Sequence, residues 1–306
     1  IQHVRPIGTP IDVELNWMVE QLKERSDGRI NITIFPAEQL GNYNVLQERV
    51  GMGEIEMNLS NGLDSSRDRA LEIIAIPYLA KNWAEVPIFF SSAGIVTKII
   101  SESLEKQNIK LLSSWPTFFG GLILKKIPNA PADPYEPKNV KIRIPALKIF
   151  ELTANALNYI GSPLPWSEVY PAMQTGVVDG LIGSGAEGCY NTFRDITKYY
   201  LAINDHFEIW HWYMNLDLWN SLSKEDQELL QDVASEFERR RFATAENEEK
   251  EYTQKLKDSG IEIINFTDEE LGIMADKVRE EVWPFVEEVI GLENMNKIKT
   301  QAELLK

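Results

Sequence analysis

The chain has a single cysteine among 306 residues. Cys189 has no internal disulfide partner, and no CxxC or Cys/His cluster is present to hold zinc. It reads as a small, semi-buried side chain. Histidine is nearly as scarce, with His3, His206 and His211 alone. His206 and His211 stand five apart in a strand-like stretch, which sends them to opposite faces and suits no single metal ion. No metal or cofactor is expected. No apolar run approaches the roughly twenty residues needed to span a bilayer, so no direct membrane insertion is expected. Positive charge is also short: 31 Lys and Arg face 47 Asp and Glu, a formal net charge of -16. That argues against nucleic acid or an anionic membrane held on a broad basic face. An anionic ligand would have to be captured by a local positive site working against the overall field.

What is present is globular in composition, 43% hydrophobic, 10% aromatic and 25% charged. The length suits two domains with cores of their own or one large α/β domain. The sequence starts at IQHVRPIGTP, without Met and with a strand-like apolar pattern, as expected of a mature protein whose export signal has been removed.

Residues 10–26 carry Ile11, Leu15, Met18, Val19 and Leu22 at the spacing of one helical face, and Asp27-Gly28 closes that helix. Arg29–Phe35 alternates as a strand does. Leu46–Met52 reads as a helix, 53–59 as a strand, 73–79 as an apolar run closed by Pro77, and Ile109–Trp115 as a strand following helices. This alternation predicts a mostly parallel sheet covered on both faces, with ligands at the carboxyl ends of its strands. Four prolines in residues 128–138 exclude regular structure there. Beyond them Val140–Ile144 is a strand, Phe150–Tyr159 a helix and Tyr190–Tyr200 a helix, with a second α/β unit starting near residue 120. Ser223 caps one long helix to about Asp258, whose Leu229, Leu230, Val233 and Phe237 form the apolar side and whose second half is very polar. A short strand at 260–266 precedes a helix over Asp268–Val289 with Pro284 inside it.

Catalytic patterns fail on spacing. Gly51-x-Gly53 would need a third glycine where Glu56 stands. Ser184 would need glycines at 182 and 186, where Ile and Ala stand. The acidic runs lie at polar helix starts, where capping and solvation account for them. Arg143 differs, being set between Ile142 and Ile144 and before Pro145 in a buried type of strand, where a charge requires a partner. That partner is either an internal carboxylate or a ligand acid, since the guanidinium fork matches a carboxylate in two parallel bonds. Trp115, Phe118, Phe119, Trp166, Trp210, Trp212 and Tyr213 fall at strand ends or the loops after them, as core or as cleft wall.

The rest is organised around residues 161–183, GSPLPWSEVYPAMQTGVVDGLIG: a Pro-rich turn, an amphipathic helix of about ten residues and a strand opening at Gly180. Together with GRINITIFPAEQLG, the IPYL run and VKIRIP, this stretch resembles the extracytoplasmic solute-binding proteins of tripartite ATP-independent periplasmic (TRAP) transporters, the DctP type. The resemblance covers nearly the whole chain in order. It implies an α/β, two-domain periplasmic binding protein clamp with a hinge and a long domain-spanning helix, no catalysis, a periplasmic location, and delivery of a small organic anion to TRAP membrane subunits. Domain I would take 1–119 and 210–250, domain II 120–209 and 251–306, with the ligand cleft between them. Arg143 matches the family's carboxylate anchor and Trp166 its packing aromatic, and the further ligand-binding candidates are Phe119, Ser184, His206, Trp210 and Asn61. Glu168, Tyr170 and Asp179 serve the architecture. Two usual contacts are absent: Phe118–Leu122 lacks a second arginine, and Leu181-Ile182-Gly183-Ser184 replaces a Gln-Glu-Asn-Pro sequence. The loss favours a monoanion with an apolar or aromatic body over a sugar acid or dicarboxylate, while a small sulfonate would suit the same fork. The same clamp serving another transporter or sensor, and an α/β enzyme, are the other readings.

Overall fold

Pro10 at the first helical position and Asp12 in the first turn open α1, Pro10–Arg25, which buries Ile11, Leu15, Met18 and Leu22 along one stripe. The computed structural model of the chain describes residues 1–60 and 63–304, and they divide into two units. Unit 1 comprises 1–74, 87–116 and 209–244, and unit 2 comprises 75–86, 117–208 and 245–306.

In chain order the elements are α1, α2 (Tyr43–Gly51), β1 (Met57–Ser60), a 3-10 turn (Arg69–Ala75), α3 (Val86–Phe90), α4 (Ile95–Glu105), β2 (Ile109–Phe119), β3 (Gly121–Leu124), β4 (Lys141–Ile144), α5 (Lys148–Ala156), β5 (Ile160–Pro163), α6 (Trp166–Thr175), β6 (Gly180–Ser184), the short turn α7 (Ala186–Gly188), a π-helical turn (Cys189–Phe193), β7 (Tyr199–Leu201), β8 (Phe207–Asn215), α8 (Leu216–Ser221), α9 (Lys224–Asp258), β9 (Glu262–Ile264), α10 (Asp268–Ile290) and α11 (Leu292–Glu303).

Unit 1 is built on a three-stranded sheet of order β1-β8-β2, with β1 antiparallel to β8. Trp210, Trp212 and Met214 of β8 pack with Met57, Leu59 and the buried stripe of α1. As the edge strand, β2 finds partners on α9. Gln231 Nε2 donates to Leu112 O (3.2 Å), Ser114 N donates to Glu238 Oε2 (2.8 Å) and Arg241 Nε donates to Pro116 O (2.7 Å). Unit 2 is built on a six-stranded sheet of order β5-β4-β6-β3-β7-β9. β4 runs parallel to β5 and β6, β7 parallel to β9, and β3 antiparallel to both β6 and β7.

The six-stranded sheet is thus mixed and not mostly parallel, because β3 enters between β6 and β7, two strands running the other way. Two local expectations also change. Arg29–Phe35 forms no strand: Ile30, Ile32 and Ile34 lean on the core as their alternation implies, but only Phe35 gains a bridge, to Gln2. Alternation reports a buried face and does not guarantee a backbone partner. Tyr190–Tyr200 holds the π turn and then β7 in place of a helix. Cys189 is fully buried, and burial pushes its thiol up to about 12. Asp226 N donates to the Ser223 hydroxyl (3.1 Å), capping α9 as expected, and α9 continues from unit 1 into unit 2 at residue 245.

Candidate functional site

In unit 2, β4 and β6 are parallel with Arg143 beside Leu181, and β3 is antiparallel to β6 with Gly121 beside Ser184. The carboxyl ends of β4 and β6 and the start of β3 therefore lie at one edge of the sheet, the edge at which open α/β sheets receive ligands. Arg143, Ser184 and the Phe119-Gly120 junction share that edge.

Arg143 is 2% exposed. Its Nε donates to Leu164 O (2.9 Å), its Nη1 reaches Ile182 O (3.5 Å), and its guanidinium lies 5.7 Å from the centre of the Trp166 ring. Trp166, the first residue of α6, is half-buried with its edge against Phe193 (5.3 Å between centroids). Gly183 makes this possible. Its φ is +84°, and a Cβ there would stand 2.7 Å from Pro145 Cγ and 3.6 Å from Arg143 Nη1. The departure Leu181-Ile182-Gly183-Ser184 is thus the wall against which the arginine lies. Ser184 is fully buried, and its hydroxyl has no hydrogen-bond partner among the described residues.

His206 joins this group through Gly120, whose N donates to His206 O (2.8 Å) and whose missing Cβ leaves room for the imidazole: a Cβ would fall 2.3 Å from Cε1. His206 Nδ1 is paired with Asp205 Oδ2 at 2.7 Å, and the ring meets Phe150 edge-on at 5.0 Å. Burial alone would lower the imidazole pKa, but the charge and hydrogen bond of Asp205, with the charge of Glu208, outweigh it and hold the pKa above its ordinary value. Nε2 has no hydrogen-bond partner among the described residues. Asp205 itself is held by Tyr78, whose N donates to Asp205 O (2.8 Å). Sequence reasoning passed over Asp205, although Asp-His ahead of the apolar β8 is a readable signal.

Phe119 is 5% exposed and sits in an edge-to-face trio with Trp83 (5.8 Å) and Phe207 (5.1 Å). Its N donates to Glu249 Oε1 (2.7 Å), and Trp83 Nε1 donates to Glu249 Oε2 (2.7 Å). Glu249 was also missed, since a lone acid in the polar half of α9 looks solvated. Five expected residues, Arg143, Trp166, Phe119, Ser184 and His206, belong to unit 2. Trp210 belongs to unit 1, where it is 1% exposed in the core beside Trp115 (5.6 Å) and under Arg5 (5.5 Å). Asn61 lies outside the described residues. His211 is in unit 1, where burial lowers its pKa to about 3 and keeps it neutral. Asp179 N donates to Lys141 O (2.8 Å), Lys125 N donates to Asp179 O (2.9 Å) and the Asp179 carboxylate pairs with Lys126 Nζ (3.2 Å), while Tyr170 Oη donates to Asp195 (2.7 Å).

A family model described as "Bacterial extracellular solute-binding protein, family 7", DctP, matches residues 1–288. The sialic acid-binding periplasmic protein SiaP of Vibrio cholerae is 25% identical over 255 residues, covering 80% of this chain and 76% of that protein. The C4-dicarboxylate-binding periplasmic protein DctP of Rhodobacter capsulatus is 25% identical over 245 residues, 79% of this chain and 72% of that protein. Among solved structures, a TRAP periplasmic solute binding protein from Desulfovibrio salexigens, with bound orotic acid, superposes with a TM-score of 0.89 at 22% identity, covering 100% of this chain and 98% of that one.

Proposed function

The chain belongs to the DctP family of bacterial extracellular solute-binding proteins, and from that membership we propose that it captures a small organic anion outside the cytoplasm and delivers it to the membrane subunits of a TRAP-type secondary transporter. The periplasm is the compartment this requires, reached by way of an export signal. The observation that carries the reading is Arg143, a guanidinium 2% exposed at the ligand-receiving edge of the unit 2 sheet. Trp166 lies against it, and Ser184 and Gly120, which meets His206, are at the same edge of the sheet. An acid group on the ligand matches the arginine fork. The relatives' names point the same way: sialic acid, a C4-dicarboxylate and orotic acid are all organic acids.

The ligand is a carboxylate with an apolar or aromatic body. Phe119, Phe150 and Trp166 offer ring surface, and the charge of His206 is matched by Asp205 next to it. A dicarboxylate or a small sulfonate is the alternative cargo for the same fork. The two units serve as the lobes of a clamp whose closed state the ligand favours. Binding without turnover is the reading that membership of a solute-binding family supports. Thermal stability measured across a panel of carboxylates and sulfonates tests the reading. One class of acid should raise the melting temperature of the wild type and leave Arg143→Ala unmoved. Equal stabilisation of both proteins would refute it.

A further inference from the structure

Trp83, Phe119, Phe207 and Glu249 each lie close to a point where the chain crosses between the two units. Within unit 2 they form one cluster. The three rings meet edge to face, with Phe207 5.1 Å from both Trp83 and Phe119. The Glu249 carboxylate divides its oxygens between two donors, Oε1 taking the Phe119 amide and Oε2 the Trp83 indole, each at 2.7 Å. A charged carboxylate accepts from both donors at once, whereas a protonated one carries an O–H where one of the donors must point.

We propose that Glu249 is a positioning residue for the aromatic wall of the ligand site: charged, it clamps the Trp83 indole and the Phe119 amide together, and on gaining a proton it releases one of them and loosens the Phe119–Phe207 edge. The bearing of this clamp on ligand capture rests on the function proposed above, but the clamp itself does not. Glu249 as a residue is half-buried, yet its carboxyl group is closely surrounded. Burial pushes its pKa up to about 7 against the two hydrogen bonds that lower it. The titratable groups that face it are Glu246 and Lys250 on α9 and Tyr200 on β7, which feels the Glu249 charge. None of them replaces the two N–H donors.

The test needs no ligand. In 15N-labelled protein, the Trp83 indole and Phe119 amide resonances are followed from pH 5.5 to 8.5, with Trp83→Phe assigning the indole. Both should shift together with one midpoint near pH 7 in the wild type and in Glu246→Gln, and stay flat in Glu249→Gln. If Glu249→Gln does not fold, Trp83→Phe carries the test: it removes one donor that lowers the Glu249 pKa, so the Phe119 midpoint should move to higher pH. Resonances that do not titrate, that titrate unchanged in Glu249→Gln, or whose midpoint is unmoved in Trp83→Phe overturn the proposal. That failure would leave the anion-binding reading intact, because Arg143→Ala tests the latter separately.

Discussion

Gly183→Ala perturbs the anchor without touching a polar group. The residue sits at φ +84°, where an L side chain costs about 1–2 kcal/mol. Its new Cβ would meet Pro145 Cγ at 2.7 Å, so the proline ring has to move, an overpacking cost of about 1–3 kcal/mol. Pro145 follows the strand that carries Arg143, and the same Cβ would lie 3.6 Å from Arg143 Nη1. The expected loss is about 2–5 kcal/mol, a fall in Tm of roughly 3–8 °C for a protein of this size, accompanied by weaker anion binding. Gly176→Ala is the control. Gly176 has a similar φ of +78° at the end of α6, but nothing lies within 4 Å of its Cβ position, so only the backbone cost of about 1–2 kcal/mol applies. Differential scanning calorimetry of the two variants, with calorimetric titration of the anion that stabilises the wild type, separates the two effects. If both variants lose the same stability and both bind as the wild type does, the wall formed by Gly183 and Pro145 does not position the arginine.

Other outcomes follow from the buried groups. Ser184→Ala removes a hydroxyl that is buried without a hydrogen-bond partner among the described residues, so melting temperature should hold while ligand affinity falls about threefold to tenfold, read by titration calorimetry. The raised pKa of His206 keeps its positive charge to higher pH, and anion affinity should fall as pH climbs through that value. In Asp205→Asn the fall should move to lower pH, which Kd against pH will show. Glu249 has a folded pKa of about 7 against an ordinary 4.5, so the folded state holds its proton more tightly and stability is lost as pH rises from about 4.5 to 7. The loss is about 1–3 kcal/mol for a half-buried group, and Glu249→Gln should flatten that part of the Tm profile.

The sequence makes legible whatever is encoded locally. The stripe of α1, the Ser223 cap of α9 and the buried strand around Arg143 all stand where periodicity and capping put them. The ten-residue α6, closed by Gly176, does too. What escapes depends on partners far along the chain. Glu249 meets donors 130 and 166 residues away, and nothing near it in sequence marks it as buried. The antiparallel insertion of β3 is likewise set by where β6 and β7 lie, and Ile30, Ile32 and Ile34 alternate correctly yet find no ladder. In the candidate site, Arg143 and Trp166 are visible from the motif. The role of Gly183 is visible only once Pro145 is seen against it.

The central claim, that a buried arginine at the sheet edge anchors an organic acid, is tested most directly by titrating wild type, Arg143→Lys and Arg143→Ala with the acid that copurifies with the wild type and is identified by mass spectrometry. Loss of a charged, hydrogen-bonded partner costs about 2–5 kcal/mol. The account predicts roughly a thirtyfold or greater loss of affinity for Arg143→Ala and partial retention for Arg143→Lys, which keeps the charge but not the fork. Wild-type affinity in Arg143→Ala, with the variant folded, would contradict it.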